Sequence, residues 1–377
     1  MSAFRIPFNK PPHVGRELDY VKEVFAAGHL SGDGPFTRRC SELLQAELGA
    51  ERVLLTTSCT HALEMSALLL DLQPGDEVIV PSFAFVTTAL AFTLHGARPV
   101  FVDVSPDTLN MDPACVAEAI GPRTRAIIAL HYGGVACDLE ALSALAAKAG
   151  ITLIEDNAHG LFGSWRGKAL GTFGSMATQS FHETKNFSCG EGGALIVNDP
   201  ALAERAEILR EKGTNRSRFF RGQIDKYSWV DTGSSYLPSE ILTAVLYAQL
   251  EARDQIQARR QVIWDRYAAE LKGWAAASGV TLPVIPAGCE PTAHVFWMLL
   301  PTLESRGRFI DHLKEAGVLS VFHYLPLHLS DMGRGFGGKP GDCPVSEDVS
   351  DRLVRLPLFL ALTDDEQGEV IRQTTSF

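Results

Sequence analysis

The sequence predicts an α/β fold: a large domain with a mostly parallel seven-stranded sheet between helices, followed by a smaller C-terminal α/β domain. Three observations carry this prediction. Short apolar runs rich in Val, Ile and Leu recur at 53–57, 77–81, 100–104, 126–130, 152–155, 176–181 and 194–197. Amphipathic stretches at helical spacing separate them, and such alternation gives parallel strands covered on both faces. At 377 residues the chain also exceeds one ordinary core. We therefore expect a large domain over 1–245 and a linking helix with a small domain over 246–377.

Taken in order, the N-terminal segment is rich in proline (Pro7, Pro11, Pro12). Leu18, Val21, Val24 and Phe25 then mark an amphipathic helix, and a second helix is predicted over 36–48. Between them, Ser31-Gly32-Asp33-Gly34 reads as a connecting turn. A helix over 63–70 follows the first strand. From about residue 239 to 273, Ala244, Leu246, Leu250 and Ile256 keep helical spacing, which reads as the link between domains. The remainder predicts strands at 295–300 and 318–322 and helices at 305–316 and 346–355.

Charge and composition narrow the function. A net charge of −11 argues against nucleic acid or an anionic membrane as partner. No run approaches the ~18 apolar residues of a membrane span, and residues 1–7 lack the apolar core of a signal peptide, so a cytoplasmic location is expected. Seven scattered cysteines without a C-x-x-C pair indicate reduced thiols, with neither a disulfide framework nor a zinc site. An anionic substrate then needs a local basic cluster. Arg210, Lys212, Arg216, Arg218, Arg221 and Lys226 form one. Arginine suits bidentate phosphate contacts, and a solvated loop explains any single one of them equally well.

In open α/β sheets, ligands bind beyond the carboxyl ends of strands. After the first run, Ser58-Cys59-Thr60-His61 reads as a helix N-cap or as a phosphate-binding turn. After the second, Phe83 and Phe85 are core aromatics or a platform for a flat ring. The fifth run ends at Asp156, whose carboxylate at the end of a buried strand requires an N–H or cationic partner unless it caps a helix. His159 reads as a structural histidine, with no metal-ligand spacing around it. Lys185 stands between two strands, five residues after Ser180 and five before the glycine-rich stretch Gly190-Glu191-Gly192-Gly193. A desolvated lysine is an amine nucleophile. A phosphate turn, an aromatic face, and a carboxylate 29 residues before such a lysine together make a pyridoxal 5′-phosphate (PLP) site.

The stretch 180–193, with Glu155-Asp156-Asn157-Ala158-His159 and Pro81-Ser82-Phe83-Ala84-Phe85, resembles the DegT/StrS-type nucleotide-sugar aminotransferases, which are fold-type I PLP enzymes. Further likeness lies in Phe4-Arg5-Ile6-Pro7-Phe8-Asn9, Gly32-Asp33-Gly34-Pro35-Phe36, Arg210-Glu211-Lys212-Gly213 and Phe322-His323-Tyr324-Leu325-Pro326-Leu327-His328. The resemblance implies that Lys185 bonds the cofactor and shuttles protons, and that Asp156 pairs with the pyridine nitrogen. It places His159 near the ring's 3-hydroxyl, Phe85 against the ring, and Ser180, Cys59 and Thr60 at the phosphate. Where the family has a glycine in that turn, this chain has Cys59.

The resemblance further implies a homodimer with shared active sites. In the position where a neighbouring subunit supplies an asparagine to the phosphate, this chain offers Ser235 within Gly233-Ser234-Ser235-Tyr236. Arg216, Arg218, Arg221, His323 and Tyr324 are the candidate substrate-binding residues. The implied reaction moves an amino group from glutamate to the 4-keto carbon of dTDP-4-keto-6-deoxy-D-glucose, giving dTDP-4-amino-4,6-dideoxy-D-galactose. Another nucleotide-linked 3- or 4-ketosugar is the alternative. A PLP-dependent sugar dehydratase is disfavoured because its relatives replace the lysine with histidine, and a non-catalytic protein of the same fold would not need Lys185 and Asp156.

Overall fold

The computed structural model describes residues 4–377, and the first three residues of the N-terminal stretch lie outside them. Seven strands, β1 (Arg52–Thr56), β2 (Glu77–Pro81), β3 (Arg98–Val102), β4 (Thr124–Leu130), β5 (Thr152–Asp156), β6 (Met176–Ser180) and β7 (Gly193–Val197), form one sheet in the order β1-β7-β6-β5-β4-β2-β3. All pairings are parallel except those of β7, which runs antiparallel to both β1 and β6. The expected mostly parallel sheet is therefore present. Residues of β6 and β7 are buried throughout, as expected of strands covered on both faces. β5 sits at the centre of the order, so whatever follows its last residue lies at the middle of the sheet's carboxyl edge.

The helices after β1 and before it start slightly earlier than the periodicity predicted, at Cys59–Leu69 and Pro35–Leu48. Buried Glu240 accepts the N–H groups of Gly34, Phe36 and Thr37, satisfying donors that Pro35–Leu48 leaves open at its start. The expected helical link is two helices, Glu240–Glu251 and Arg253–Ser278, meeting at Ala252. Leu246, Leu250 and Ile256 pack into the core beneath the large sheet, whereas Ile263, Tyr267 and Leu271 belong to a second core. We place the passage between the two cores inside the longer helix, beyond the 245/246 boundary expected from sequence. Ile6 also packs in the second core, through bridges to the chain at Val318.

Two expectations need correction here. Residues 318–322 form no ladder strand but make isolated bridges, Ile6 to Val318 and Val321 to Arg355. The helix expected over 346–355 ends at Arg352, and Leu353–Leu356 straightens into a strand (β9) paired antiparallel with Phe296–Leu299 (β8). The extended form buries Leu353 on one face and Val354 with Leu356 against the second core, which a helical turn does not do. No helix among the described residues is long and apolar enough to cross a membrane.

Candidate active site

A cavity of about 980 Å³ opens at the carboxyl edge of the large sheet and is closed on one side by the segments 321–327 and 355–358. Its floor is made by the residues that follow β1, β2, β5 and β6. Cys59, Thr60, Phe85, Asp156, His159, Ser180, Lys185, His323 and Tyr324, all singled out from sequence, line this one space.

Neighbouring carboxylates on β5 have opposite fates, because successive strand residues point to opposite faces. Glu155 accepts from His131 Nε2 (3.0 Å) and from the N–H groups of Gly171 (2.7 Å), Phe173 (2.6 Å) and Gly174 (2.9 Å). Burial would push its carboxyl up, but His131 and these N–H groups outweigh it and hold the group below the usual range. Among the described residues, Asp156 accepts only from the Thr88 hydroxyl (2.7 Å) and the Ala158 N–H (3.3 Å). Burial pushes its carboxyl up, and these two bonds together with the Lys185 charge offset only part of that rise. Asp156 thus lacks a cationic donor, and it faces the cavity.

Lys185 lies in the connection between β6 and β7. The connection is held at its neck by Phe181 N–H to Gly192 and by Glu183 N–H to Gly190, whose φ of 88° suits glycine. Asn186 anchors it outward, donating to the Thr292 carbonyl (2.8 Å) and facing His294 Nδ1 (2.9 Å), while Phe187 is buried in the core. Burial lowers the Lys185 ammonium to about 8; Arg355 adds to this, and Asp156 opposes it. The result is an amine that is a competent nucleophile and proton carrier near neutral pH.

Ser58 caps the helix Cys59–Leu69 by accepting the His61 N–H (3.1 Å). The N–H groups of Cys59 and Thr60 have no partner among the described residues, so the positive end of this helix is free to take an anion. A cap and a phosphate turn are therefore compatible readings of one segment. Gly193 makes the turn possible: a Cβ there would lie 2.3–2.5 Å from backbone atoms of Ser58 and Cys59.

The side wall carries three imidazoles. His159 accepts the Gly133 N–H on Nδ1 (3.3 Å) and stacks on His294 at 4.3 Å. His323 meets the buried Tyr132 hydroxyl through Nδ1 (2.8 Å) and stacks on Tyr324 at 3.5 Å. Burial keeps all three well below the usual histidine range, which favours the neutral ring, and His294 spends its one N–H on the Asn186 Oδ1. Phe85 stands opposite, its ring 6.3 Å from that of Tyr324.

Other expected residues are not brought to this cavity by their own chain. Arg216 pairs with Glu211 (2.7 Å), Arg218 with Glu204 (3.3 Å) and Arg221 with Glu207 (2.7 Å). The basic loop is thus neutralised by the carboxylates beside it. Ser235 is exposed and bridges to Glu211. His328 is held between Ser82 (2.6 Å) and Glu347 (3.0 Å), away from the cavity. Conversely, sequence reasoning did not single out Thr88, Tyr132, His294 or Arg355. Thr88 alone carried a signal, as a hydroxyl in the segment after β2.

The DegT/DnrJ/EryC1/StrS aminotransferase family matches residues 13–375. The chain belongs to this family. It is 36% identical over 360 residues to the dTDP-4-dehydro-2,3,6-trideoxy-D-glucose 4-aminotransferase of Saccharopolyspora spinosa, covering 93% of this chain and 91% of that one. The aminotransferase TlmJ from Streptoalloteichus hindustanus superposes with a TM-score of 0.90 at 34% identity, covering 98% of each chain. Spr1654 from Streptococcus pneumoniae, solved in a PLP form, gives 0.91 at 26% identity, over 98% of each chain. As a DegT/StrS aminotransferase the chain is a PLP-dependent transaminase.

The residues present fit that cofactor. Asp156 is a buried carboxylate short of a cationic N–H, the free N–H groups of Cys59 and Thr60 suit a phosphate, and Lys185 supplies the amine. When bound, PLP supplies a carrier for the amino group and a sink for electrons. With the cofactor bound, Asp156 would face the ring nitrogen and Lys185 Nζ would be placed to take a proton from the substrate carbon and return it. Because the neutral amine is the nucleophile, the rate at which added PLP bonds to cofactor-free protein will rise with pH and level off above about 8. Stopped-flow visible absorbance across roughly pH 6–10.5 checks this. A rate that is still rising tenfold per pH unit near the free-lysine range contradicts it.

Proposed function

We propose that this chain transfers the amino group of glutamate to the 4-keto carbon of dTDP-4-keto-6-deoxy-D-glucose, forming dTDP-4-amino-4,6-dideoxy-D-galactose, a building block for cell-surface polysaccharide. The observation that carries the reading is the shape of the site: a cavity of about 980 Å³ leading directly to Lys185, larger than PLP alone requires and of the size that holds a bulky ligand. The Saccharopolyspora spinosa relative, which by name acts on a dTDP-linked 4-ketosugar, supports the choice of substrate class. In the first half-reaction Lys185 would remove the α-proton of glutamate, with bound PLP supplying the carrier for the amine, as 2-oxoglutarate leaves. In the second, Lys185 delivers a proton to the sugar carbon that receives the amine.

The protein in this reading works as a homodimer. Phe85 (55% exposed), Leu94 (60%), Phe220 (68%) and Trp229 (81%) are large apolar side chains left in solvent by the single chain. Ser235 then completes the phosphate site of the neighbouring subunit, and Arg216, Arg218 and Arg221 reach a substrate diphosphate only across the interface. Ser235→Ala should weaken PLP affinity roughly tenfold, the effect of one lost hydrogen bond to a charged group, measured by equilibrium titration. A monomer in sedimentation velocity, or unchanged affinity, would count against the shared site.

The substrate assignment is tested by incubating the protein with glutamate and dTDP-, UDP- and GDP-linked 3- and 4-ketosugars and determining product configuration. The dTDP-4-keto substrate should be turned over fastest and give the galacto product, while Lys185→Ala should lose turnover by at least about 10⁴-fold. Preference for a UDP or GDP sugar, or amination at C3, selects the alternative ketosugar reading. Wild-type turnover in Lys185→Ala sinks both.

A further inference from the structure

The segment 292–294, which leads into β8, meets the site from behind and has no part in the roles described above. Thr292, Ala293 and His294 are all withdrawn from solvent. Ala293 stands in the left-handed region at φ 49°, a conformation unfavourable for a residue with a Cβ and kept only where the surroundings fix it. Arg260, buried on the helix Arg253–Ser278, does so. Its Nε donates to the Ala293 carbonyl (3.2 Å) and its Nη2 to the His294 carbonyl (2.6 Å). Thr292 adds two anchors, its hydroxyl donating to the His159 carbonyl (2.6 Å) and its N–H to the Gly134 carbonyl (3.2 Å). The fold thus commits a buried cation to the shape of three residues.

The held segment grips Asn186, the residue after Lys185, at both ends of its amide. Asn186 Nδ2 donates to the Thr292 carbonyl (2.8 Å), and Asn186 Oδ1 lies 2.9 Å from His294 Nδ1. Because the amide nitrogen is used on a carbonyl, the amide oxygen is the acceptor and His294 carries its proton on Nδ1. His159 has the opposite tautomer, since its Nδ1 accepts from Gly133. The two rings stack at 4.3 Å and 25°. Burial keeps His294 from protonating, and the charges that act on it, from His159, Lys185, Arg260 and His323, all work in the same direction. His294 and Lys185 also line one small internal space of about 10 Å³, with room for a single water at most, so the two are near neighbours.

We propose that His294 is a positioning residue for Lys185: its Nδ1–H fixes the Asn186 amide, and with it the backbone from which the reacting amine projects. His294 acts through the bonded neighbour of the lysine. The same link reaches the junction of the two cores. Arg260 follows Ile256 of the first core and precedes Ile263 of the second, while Phe296 and Met298, just beyond His294 on β8, belong to the second. The small domain is thereby tied to the reacting amine through one imidazole.

The test uses the cofactor-free full chain and follows the visible absorbance that develops as PLP bonds to Lys185, at saturating PLP, across roughly pH 6–10.5. Wild type is compared with His294→Phe, which keeps a ring against His159 and loses the Nδ1–H, with His294→Asn, whose amide nitrogen can stand where Nδ1 stood, and with Asn186→Leu. His294→Phe and Asn186→Leu should lower the plateau rate roughly 10- to 100-fold, the effect of a reacting group misplaced by about 1 Å. The pH near 8 at which the rate levels off should not move. His294→Asn should recover most of the loss, and the double variant His294→Phe/Asn186→Leu should be no slower than Asn186→Leu alone, because both act through the same bond. A His294→Asn protein as slow as His294→Phe, or additive losses in the double variant, overturns the proposal. An unchanged plateau in His294→Phe does so too, and a levelling-off pH raised toward the ordinary lysine range would then assign His294 to keeping water from Lys185. Should His294→Phe fail to fold, as read by near-UV circular dichroism, the comparison of His294→Asn with Asn186→Leu decides in the same way: equal losses overturn the proposal, and loss in Asn186→Leu alone upholds it.

Discussion

The Asp156 carboxylate is ionisable, buried, and served by one hydroxyl and one long N–H bond. One residue earlier, Glu155 shows what this fold does when it means to satisfy a buried carboxylate: four donors converge on it, three of them from the backbone at 171–174. The shortfall at Asp156 is therefore local and directed toward the cavity. A protonated ring nitrogen placed there would remove it, because a cationic N–H would supply the one interaction the protein withholds. Folding spends stability on that position, and binding returns it.

Everything else in the site is arranged at fixed distance from this charge by the sheet. β5 is central, β6 beside it leads into the Lys185 connection, and β7 returns past the start of the helix Cys59–Leu69. The crossing is close enough that only glycine fits at 193. Amine, carboxylate and phosphate turn are thereby tied to three neighbouring ladders. The small-domain side contributes groups to the cavity wall: Tyr324, held at the unusual φ of 26°, His323 stacked on it, and Arg355 from β9.

Much of this was legible in the sequence, for identifiable reasons. Strands buried on both faces appear as continuous apolar runs, and the residue directly after such a run lies at the sheet edge, so Asp156 and Lys185 could be read as a pair. Thr88, Tyr132 and Arg355 were not legible, because what they do depends on partners 68 to 191 positions away or on a strand the pattern disguised as helix. The basic loop misled in the other direction. Its positive charges are plain in the sequence, but the carboxylates that neutralise them, Glu204, Glu207 and Glu211, precede it on an adjacent helix and its end. A charge run shows sign, not whether the charge is free.

The account turns on Asp156 holding a proton on the cofactor's ring nitrogen, and that proton is directly observable. PLP labelled with nitrogen-15 in the ring, bound to the wild-type protein and to Asp156→Asn, reports it through the ring-nitrogen chemical shift. The wild type should show a protonated nitrogen at a pH well above that at which free PLP loses this proton, and Asp156→Asn should show a neutral one. A neutral ring nitrogen in the wild type contradicts the account.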